Sequence, residues 1–314
     1  MVGAALSRGL GMYRVRALTT LTYLTPMIVG VGLISLYPIL YNVFISVTNQ
    51  NLYHFRHYTF VGLTNYQSLL KTLDADFFIV LAKTFLFVAI CIPLFLGLGM
   101  LTALALNHRA IRFKAFWRVA LIVPWAVPSY ITALVWKFFF NGEFGTLNQL
   151  YRLVAGPHAG LPWLSDPNWA FGSIVLANLW MSYPFFMVVI LGALQSIPSE
   201  LYEAAAVDGA RAWHQFWRIT VPLLRPAILP ATVLSAILTF NTLNTAYLIT
   251  LGGPFTSAAK PGATEFVMVY AFREAFQLFN FGYIAAFAVV IFIMLFGVTL
   301  GSLRFSGLVR EEAR

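Results

Sequence analysis

The chain has 314 residues, of which 60% are hydrophobic and only 10% charged, where a soluble domain carries about 25% charge. So little charge cannot cover a water-exposed exterior, which excludes an ordinary soluble enzyme or binding domain. The net charge of +9 is not gathered on one basic face, so no nucleic-acid partner is expected; the excess reads as positive loops on the cytoplasmic side of a membrane.

A span needs about 20 mostly apolar residues. Six stretches qualify: residues 18–47, 77–106, 119–140, 171–194, 227–251 and 281–303. The predicted fold class is therefore all-α, a polytopic membrane protein with about six transmembrane helices. The N-terminal run Arg8 to Arg16 leads into an apolar stretch too long for a signal peptide, so no cleaved leader is expected. Cys91, the single cysteine, sits in an apolar run and has no partner for a disulfide or a cysteine metal cluster.

With both ends placed in the cytoplasm, the inside segments hold thirteen Lys and Arg: Arg8, Arg14 and Arg16; Arg109, Arg112, Lys114 and Arg118; Arg211, Arg218 and Arg225; Arg304, Arg310 and Arg314. The outside segments hold five: Arg56, Lys71, Arg152, Lys260 and Arg273. This asymmetry predicts cytoplasmic termini. Lys83 and Lys137 lie near span ends and are expected to snorkel to the interface. Segment 265–279, at the end of a Gly/Pro loop, is expected to form a short interfacial helix.

The longest charged segment between spans, 195–226, carries the clearest pattern. Ser199 is expected to cap a helix, with Glu200 and Glu203 in its first turn, where the helix dipole favours acids. Ala204, Ala205 and Ala206 favour the helix, and Asp208-Gly209 break it, Gly209 taking a left-handed conformation. A second helical stretch, Ala210 to Ile219, is expected to end before Pro222. Small side chains on an exposed helix suit close docking into a partner.

Two faces at mid-span are polar but uncharged. Asn178, Met181, Ser182 and Phe185 follow i, i+3, i+4, i+7 spacing, and so do Ser235, Leu238, Thr239 and Thr242. Amides, hydroxyls and an aromatic ring match the hydroxyls and flat apolar faces of a sugar. The competing reading is that Ser, Thr and Asn bond across helices as packing contacts. Pro184 is expected to kink its helix.

The spacing Glu203-Ala204-Ala205, then Gly209, then Ile219-Thr220-Val221-Pro222 resembles the EAA loop of ABC importer permeases, with Val221 where that pattern usually has Leu. Tyr37-Pro38, Phe60-Val61-Gly62-Leu63-Thr64-Asn65-Tyr66, Val123-Pro124-Trp125-Ala126-Val127-Pro128 with Trp136, Gly145-Thr146-Leu147-Asn148 and Leu251-Gly252-Gly253-Pro254 are similar to the larger permease of binding-protein-dependent sugar importers. The likeness is to maltose/maltodextrin and trehalose systems, without the extra N-terminal helices and large periplasmic insertion of some maltose permeases.

The resemblance implies a type I ABC importer permease fold in a bacterial or archaeal inner membrane. It implies a cytoplasmic segment 1–17, a permease domain 18–303 containing the coupling loop 195–226, and a cytoplasmic tail 304–314. It further implies that the two polar faces contact the sugar. Glu203, Ala204, Ala205, Asp208, Gly209 and Ala210 would couple to an ATPase. The implied partners are a second permease in a heterodimer, two ATP-binding cassette subunits, an extracytoplasmic sugar-binding protein and membrane lipid.

No phosphate loop is present, so ATP and Mg are expected on the partner subunits and no cofactor on this chain. No HExxH or GxSxG motif is present either, so no catalytic or metal residue is assigned. Two rival readings are a secondary transporter, which needs midplane ionisable residues or an internal repeat, and a membrane-embedded enzyme, which needs a catalytic cluster near a span end.

Overall fold

A computed structural model describes residues 20–71, 75–108, 110–257 and 260–305. Segments 1–17 and 306–314 lie outside the described residues, and with them Arg8, Arg14, Arg16, Arg310 and Arg314; so does Arg109. The described residues are helical apart from loops and one isolated bridge, Thr48 to Phe60. Among the described residues, five helices are long and apolar enough to cross a membrane, or six if one bent pair is a single span. The described residues divide into two compact units, those up to 70 with 278–292, and those of 71–277 with those from 293 on.

In the first unit, α1 (Thr20–Ser46) contains a π turn at Gly32–Leu36, and α2 spans Thr64–Lys71. The motif around residues 60–66 explains how α2 is fastened. Gly62 turns the chain with φ +61, and Thr64 Oγ1 donates to the Val61 carbonyl at 2.8 Å. Asn65 Nδ2 then donates to the carbonyls of Ser46 (2.9 Å) and Thr48 (2.8 Å), closing the end of α1, where the last carbonyls lack helical partners. The Tyr66 hydroxyl lies 2.7 Å from Ser46 Oγ.

The second unit is built on α3 (Ala75–Asn107) and α7 (Pro167–Gln195). They pack tightly at Gly99, where an added Cβ would stand 2.5 Å from Phe186 Cβ and 3.0 Å from the Tyr183 carbonyl oxygen. Phe87, Phe95, Phe186, Met187 and Ile190 are fully buried around this contact. Helix α7 starts sharply because Asp166 accepts from the N–H groups of Asn168 (2.9 Å) and Trp169 (3.1 Å), with Pro167 in the first turn. It continues as one helix through Pro184.

The third predicted span is not continuous. Helix α4 (Lys114–Ala126) and α5 (Ser129–Phe139) meet at 91°. Val127 is extended (ψ 130) because the residue before a proline is pushed out of the helical region, and Pro128 then starts α5. Helix α6 (Thr146–Ala155) follows. Its residue Asn148 satisfies a whole loop, donating to the carbonyls of Gly142 and Leu161 and accepting from Leu161 N and Trp163 Nε1, all at 2.9–3.1 Å.

Helix α8 (Ser199–Val207) is followed by α9 (Ala212–Gln215), a π turn at Phe216–Thr220 and α10 (Val221–Phe240). The stretch expected to stop before Pro222 therefore runs on through it. Pro222 lies inside this continuous helix directly after the π turn, which takes up the register change, with Val221 N bonding back five residues to the Phe216 carbonyl. The fifth predicted span breaks at residues 241–243 before α11 (Asn244–Thr250), and α12 (Val267–Phe276) and α13 (Phe281–Phe305) complete the chain.

Candidate functional site

Residues of α7, α10, the 241–243 break and the end of α4 surround one cavity of about 320 Å³. Its lining contains all eight residues of the two polar faces: Asn178, Met181, Ser182 and Phe185, with Ser235, Leu238, Thr239 and Thr242. Thr242 reaches it from beyond the end of α10 rather than from the helix. Trp125 and Leu234 complete the lining. Sequence reasoning misses Trp125 because it takes 119–140 as one straight span. The 91° bend is what leaves Trp125, at the end of α4, beside Phe185, with ring centroids 6.5 Å apart.

The cavity hydroxyls differ from several others in the spans, while Thr132 and Thr232, outside the cavity lining, are likewise without a partner among the described residues. Thr84, Thr102, Thr250 and Thr299 each return a bond to the carbonyl four residues back, at 2.7–2.8 Å, the usual way a helical hydroxyl is satisfied in apolar surroundings. Among the described residues, Ser182, Ser235, Thr239 and Thr242 make no such bond and none with another side chain. Asn178 is buried and uses Nδ2 on the Ile174 carbonyl at 3.0 Å, leaving Oδ1 without a protein donor. Polar groups that pack helices together bond each other; these share a cavity and do not. The volume falls at the lower end of the range for small-molecule sites, about 300–1,000 Å³.

The second candidate element is α8. It has no buried residue, and Glu203, Ala204, Asp208 and Gly209 are exposed, with Ala205 and Ala210 half-buried. Ser199 does not cap it: Pro198 holds the cap position without a side-chain bond, and Ser199 is already inside the first turn. That turn contains Glu200 but not Glu203. The C-terminus follows the expectation. Gly209 has φ +78, Gly209 N bonds the Ala206 carbonyl (3.0 Å), and Ala210 N bonds the Ala205 carbonyl (2.8 Å), the paired closure of a Schellman motif.

Helix α8 is tied to the helix that follows. The Tyr202 hydroxyl meets Thr220 Oγ1, and Gln215 Nε2 donates to the Ala210 carbonyl at 3.1 Å. From Ala212 the chain stays helical through to Phe240 and so carries Ser235 and Thr239.

The loop after α11 holds an ionic cluster that sequence reasoning places only in part. Lys83 does not snorkel. Its Nζ donates to the carbonyls of Pro261 (3.1 Å) and Gly262 (2.8 Å), fixing the loop to α3. Lys137 is exposed at the end of α5. Glu265 is 1% exposed; it accepts from Gly262 N at 3.0 Å, and Arg273 Nη1 lies 2.8 Å from its Oε1. Burial pushes the Glu265 carboxyl above the ordinary carboxylate range; the Gly262 N–H, Arg273 and Lys83 pull the other way without cancelling it. The expected helix in 265–279 is α12, whose first residue donates from Val267 N to Thr84 Oγ1 at 3.0 Å.

Residues 95–305 match the family described as binding-protein-dependent transport system inner membrane component. Similar proteins include the galactooligosaccharides transport system permease protein GanP of Bacillus subtilis, 31% identical over 88% of this chain and 68% of that protein. The sulfoquinovosyl glycerol transport system permease protein SmoG of Agrobacterium fabrum is 34% identical over 90% of this chain and 88% of that protein. The maltose/maltodextrin transport system permease protein MalF of Escherichia coli is 35% identical over 74% of this chain, but the match spans only 46% of that protein. In fold, the chain is similar to a bacterial ABC transporter involved in import of the acidic polysaccharide alginate, with a TM-score of 0.74, 18% identity and coverage of 95% of this chain and 98% of that one. The chain belongs to the inner membrane component family of binding-protein-dependent transport systems.

Proposed function

We propose that this chain is the permease subunit of an ATP-driven importer that forms the pathway for a neutral oligosaccharide of the maltose, maltodextrin or trehalose class. The observation that carries this reading is the cavity with its four uncommitted hydroxyls and free amide oxygen beside Phe185 and Trp125. Hydroxyls and amides both donate and accept, as sugar hydroxyls do, and the two rings offer apolar faces to a pyranose. Among the described residues no carboxylate or cation lines the cavity, which favours a neutral over an acidic saccharide.

In this reading, residues 18–303 form the permease domain and both termini are cytoplasmic. A second permease closes the other side of the pathway, and a sugar-binding protein delivers the substrate from outside. Two ATPase subunits, which carry the ATP and Mg, dock on loop 195–226. Support for that docking comes from α8, an exposed helix with small side chains, a rigid left-handed end and two side-chain bonds to the helix behind it.

The test is purification from its own membrane followed by reconstitution. An ATPase co-purifies, and uptake of labelled oligosaccharide needs ATP inside the vesicle and the sugar-binding protein outside. Uptake driven by an ion gradient without ATP would favour a secondary transporter.

A further inference from the structure

One six-residue pattern occurs twice. Phe113-Lys114-Ala115-Phe116-Trp117-Arg118 opens α4, and Trp213-His214-Gln215-Phe216-Trp217-Arg218 runs from α9 into its π turn. Each is an aromatic residue, two residues without a shared type, then Phe-Trp-Arg, and each leads into an apolar helix. In the six-span arrangement two spans separate them, so both lie on the same membrane face, the one richer in Lys and Arg.

The rings are exposed where large aromatics are usually buried: Phe116 is 64% exposed, Trp117 49%, Trp213 67% and Trp217 51%. In the second copy, positions i, i+3 and i+4 place the three rings on one side of the helix, whereas in the first Phe113 precedes α4 with φ +56 and only Phe116 and Trp117 are helical. The rings also touch one another, with centroids 5.4 Å apart for Phe116 and Trp117, and 5.5 Å for Trp213 and Trp217. Among the described residues the side chains of Arg118 and Arg218 make no hydrogen bond or ion pair, and both residues are exposed. Arg112 and Arg211 add a further exposed cation to each copy.

We propose that these two segments are paired binding sites for anionic phospholipid headgroups. The indoles settle at headgroup depth, where an amphipathic ring is most stable, and each Phe-Trp-Arg places a guanidinium beside the lipid phosphate, which it can hold by two parallel hydrogen bonds. The ATPase docking proposed above falls on α8 and the Asp208–Ala210 turn, at the other end of loop 195–226; Arg218 borders the groove behind that turn with His214 and Gln215 and stands between the two surfaces. The repetition of one pattern at two span entries fits a surface that is the same at both places, and the lipid face is that surface.

The experiment uses the full-length chain with its co-purifying subunits, in lipid discs containing brominated phosphatidylglycerol or brominated phosphatidylcholine at equal mole fraction. Bromine quenches indoles within contact range. Discs expose both membrane faces, so the result does not depend on the assigned orientation or on the identity of the transported sugar. The expected result is quenching by the phosphatidylglycerol at least about twofold greater than by the phosphatidylcholine. That excess is lost in W117F/W213F/W217F and also in R118Q/R218Q, which leaves the indoles in place. Equal quenching by both lipids would reduce the segments to an interfacial belt without headgroup choice and overturn the proposal. Absence of quenching at these indoles would mean that protein covers them, which overturns it equally. An excess that survives R118Q/R218Q would also overturn it.

Discussion

The Tyr202 hydroxyl stands 3.0 Å from Thr220 Oγ1, and this pair joins the exposed helix α8 to the helix that carries Ser235 and Thr239. Transmission between two sites needs a discrete element that both can move. Tyr202→Phe removes one hydrogen bond and little packing, a change of about 1 kcal/mol. The expected outcome is roughly a fivefold loss in substrate-stimulated ATP hydrolysis, with membrane insertion and ATPase binding unchanged in a pull-down.

Gly209 closes α8 with φ +78, and nothing lies within 4 Å of an added Cβ. A substituted side chain meets backbone strain rather than a neighbour, about 1–2 kcal/mol for a left-handed residue with a Cβ. Gly209→Asp and Gly209→Pro are expected to abolish transport by uncoupling or detaching the ATPase, the proline because it fixes φ near −65°. Glu203→Ala is expected to weaken coupling less, since docking also uses apolar contacts. Stimulated ATP hydrolysis in reconstituted membranes, beside the same pull-down, checks the series.

In the cavity, Thr239→Ala and Phe185→Ala are each expected to weaken transport with assembly intact. A lost hydroxyl bond corresponds to about 1 kcal/mol and roughly a fivefold rise in KM for the sugar. Loss of the ring beside Trp125 corresponds to about 0.5–1.5 kcal/mol, up to roughly tenfold. Uptake across a sugar titration measures both.

Glu265 makes stability depend on pH. Its folded-state carboxyl titrates above the ordinary value because burial disfavours the charge. The folded state therefore holds its proton to higher pH than the unfolded state does, and stability falls as pH rises from the ordinary carboxylate value through the raised one. The thermal midpoint is expected to climb on mild acidification across that window, and Glu265→Gln should remove this part of the climb. Arg273→Met alone should destabilise by roughly 3–5 kcal/mol, since it strands a buried carboxylate, and the double variant by less. Thermal unfolding in detergent at several pH values tests all three.

Most of the spans are legible in the sequence because length and lack of charge set them. Seven of the eight cavity residues are legible as two faces because α7 and α10 keep helical spacing across them, and Thr242 joins them from just past the end of α10. What escapes is decided by prolines and by contacts distant in sequence. Val127-Pro128 bends a span whose apolar run is unbroken, and hydropathy does not see the bend; Trp125 is lost with it. Pro222 reads as a stop because the π turn that accommodates it has no sequence signature. Lys83 reads as snorkelling because its carbonyl partners lie 178 and 179 residues away.

The most direct test of the central claim, that sugar passes through the cavity between α7 and α10, uses a single thiol. Cys91 is buried and is the chain's only cysteine, so Cys91→Ala gives a clean background. On it, Ser182→Cys or Ser235→Cys is alkylated with a bulky maleimide, and ATP-dependent uptake of the oligosaccharide is measured. Leu153→Cys, on an exposed residue of α6 outside the cavity, serves as the control. Alkylation is expected to block uptake in both cavity variants, saturating sugar with its binding protein to slow the reaction at those positions, and the Leu153 variant to transport as before. Full uptake after complete alkylation of the thiol in each of the two cavity variants would contradict the claim.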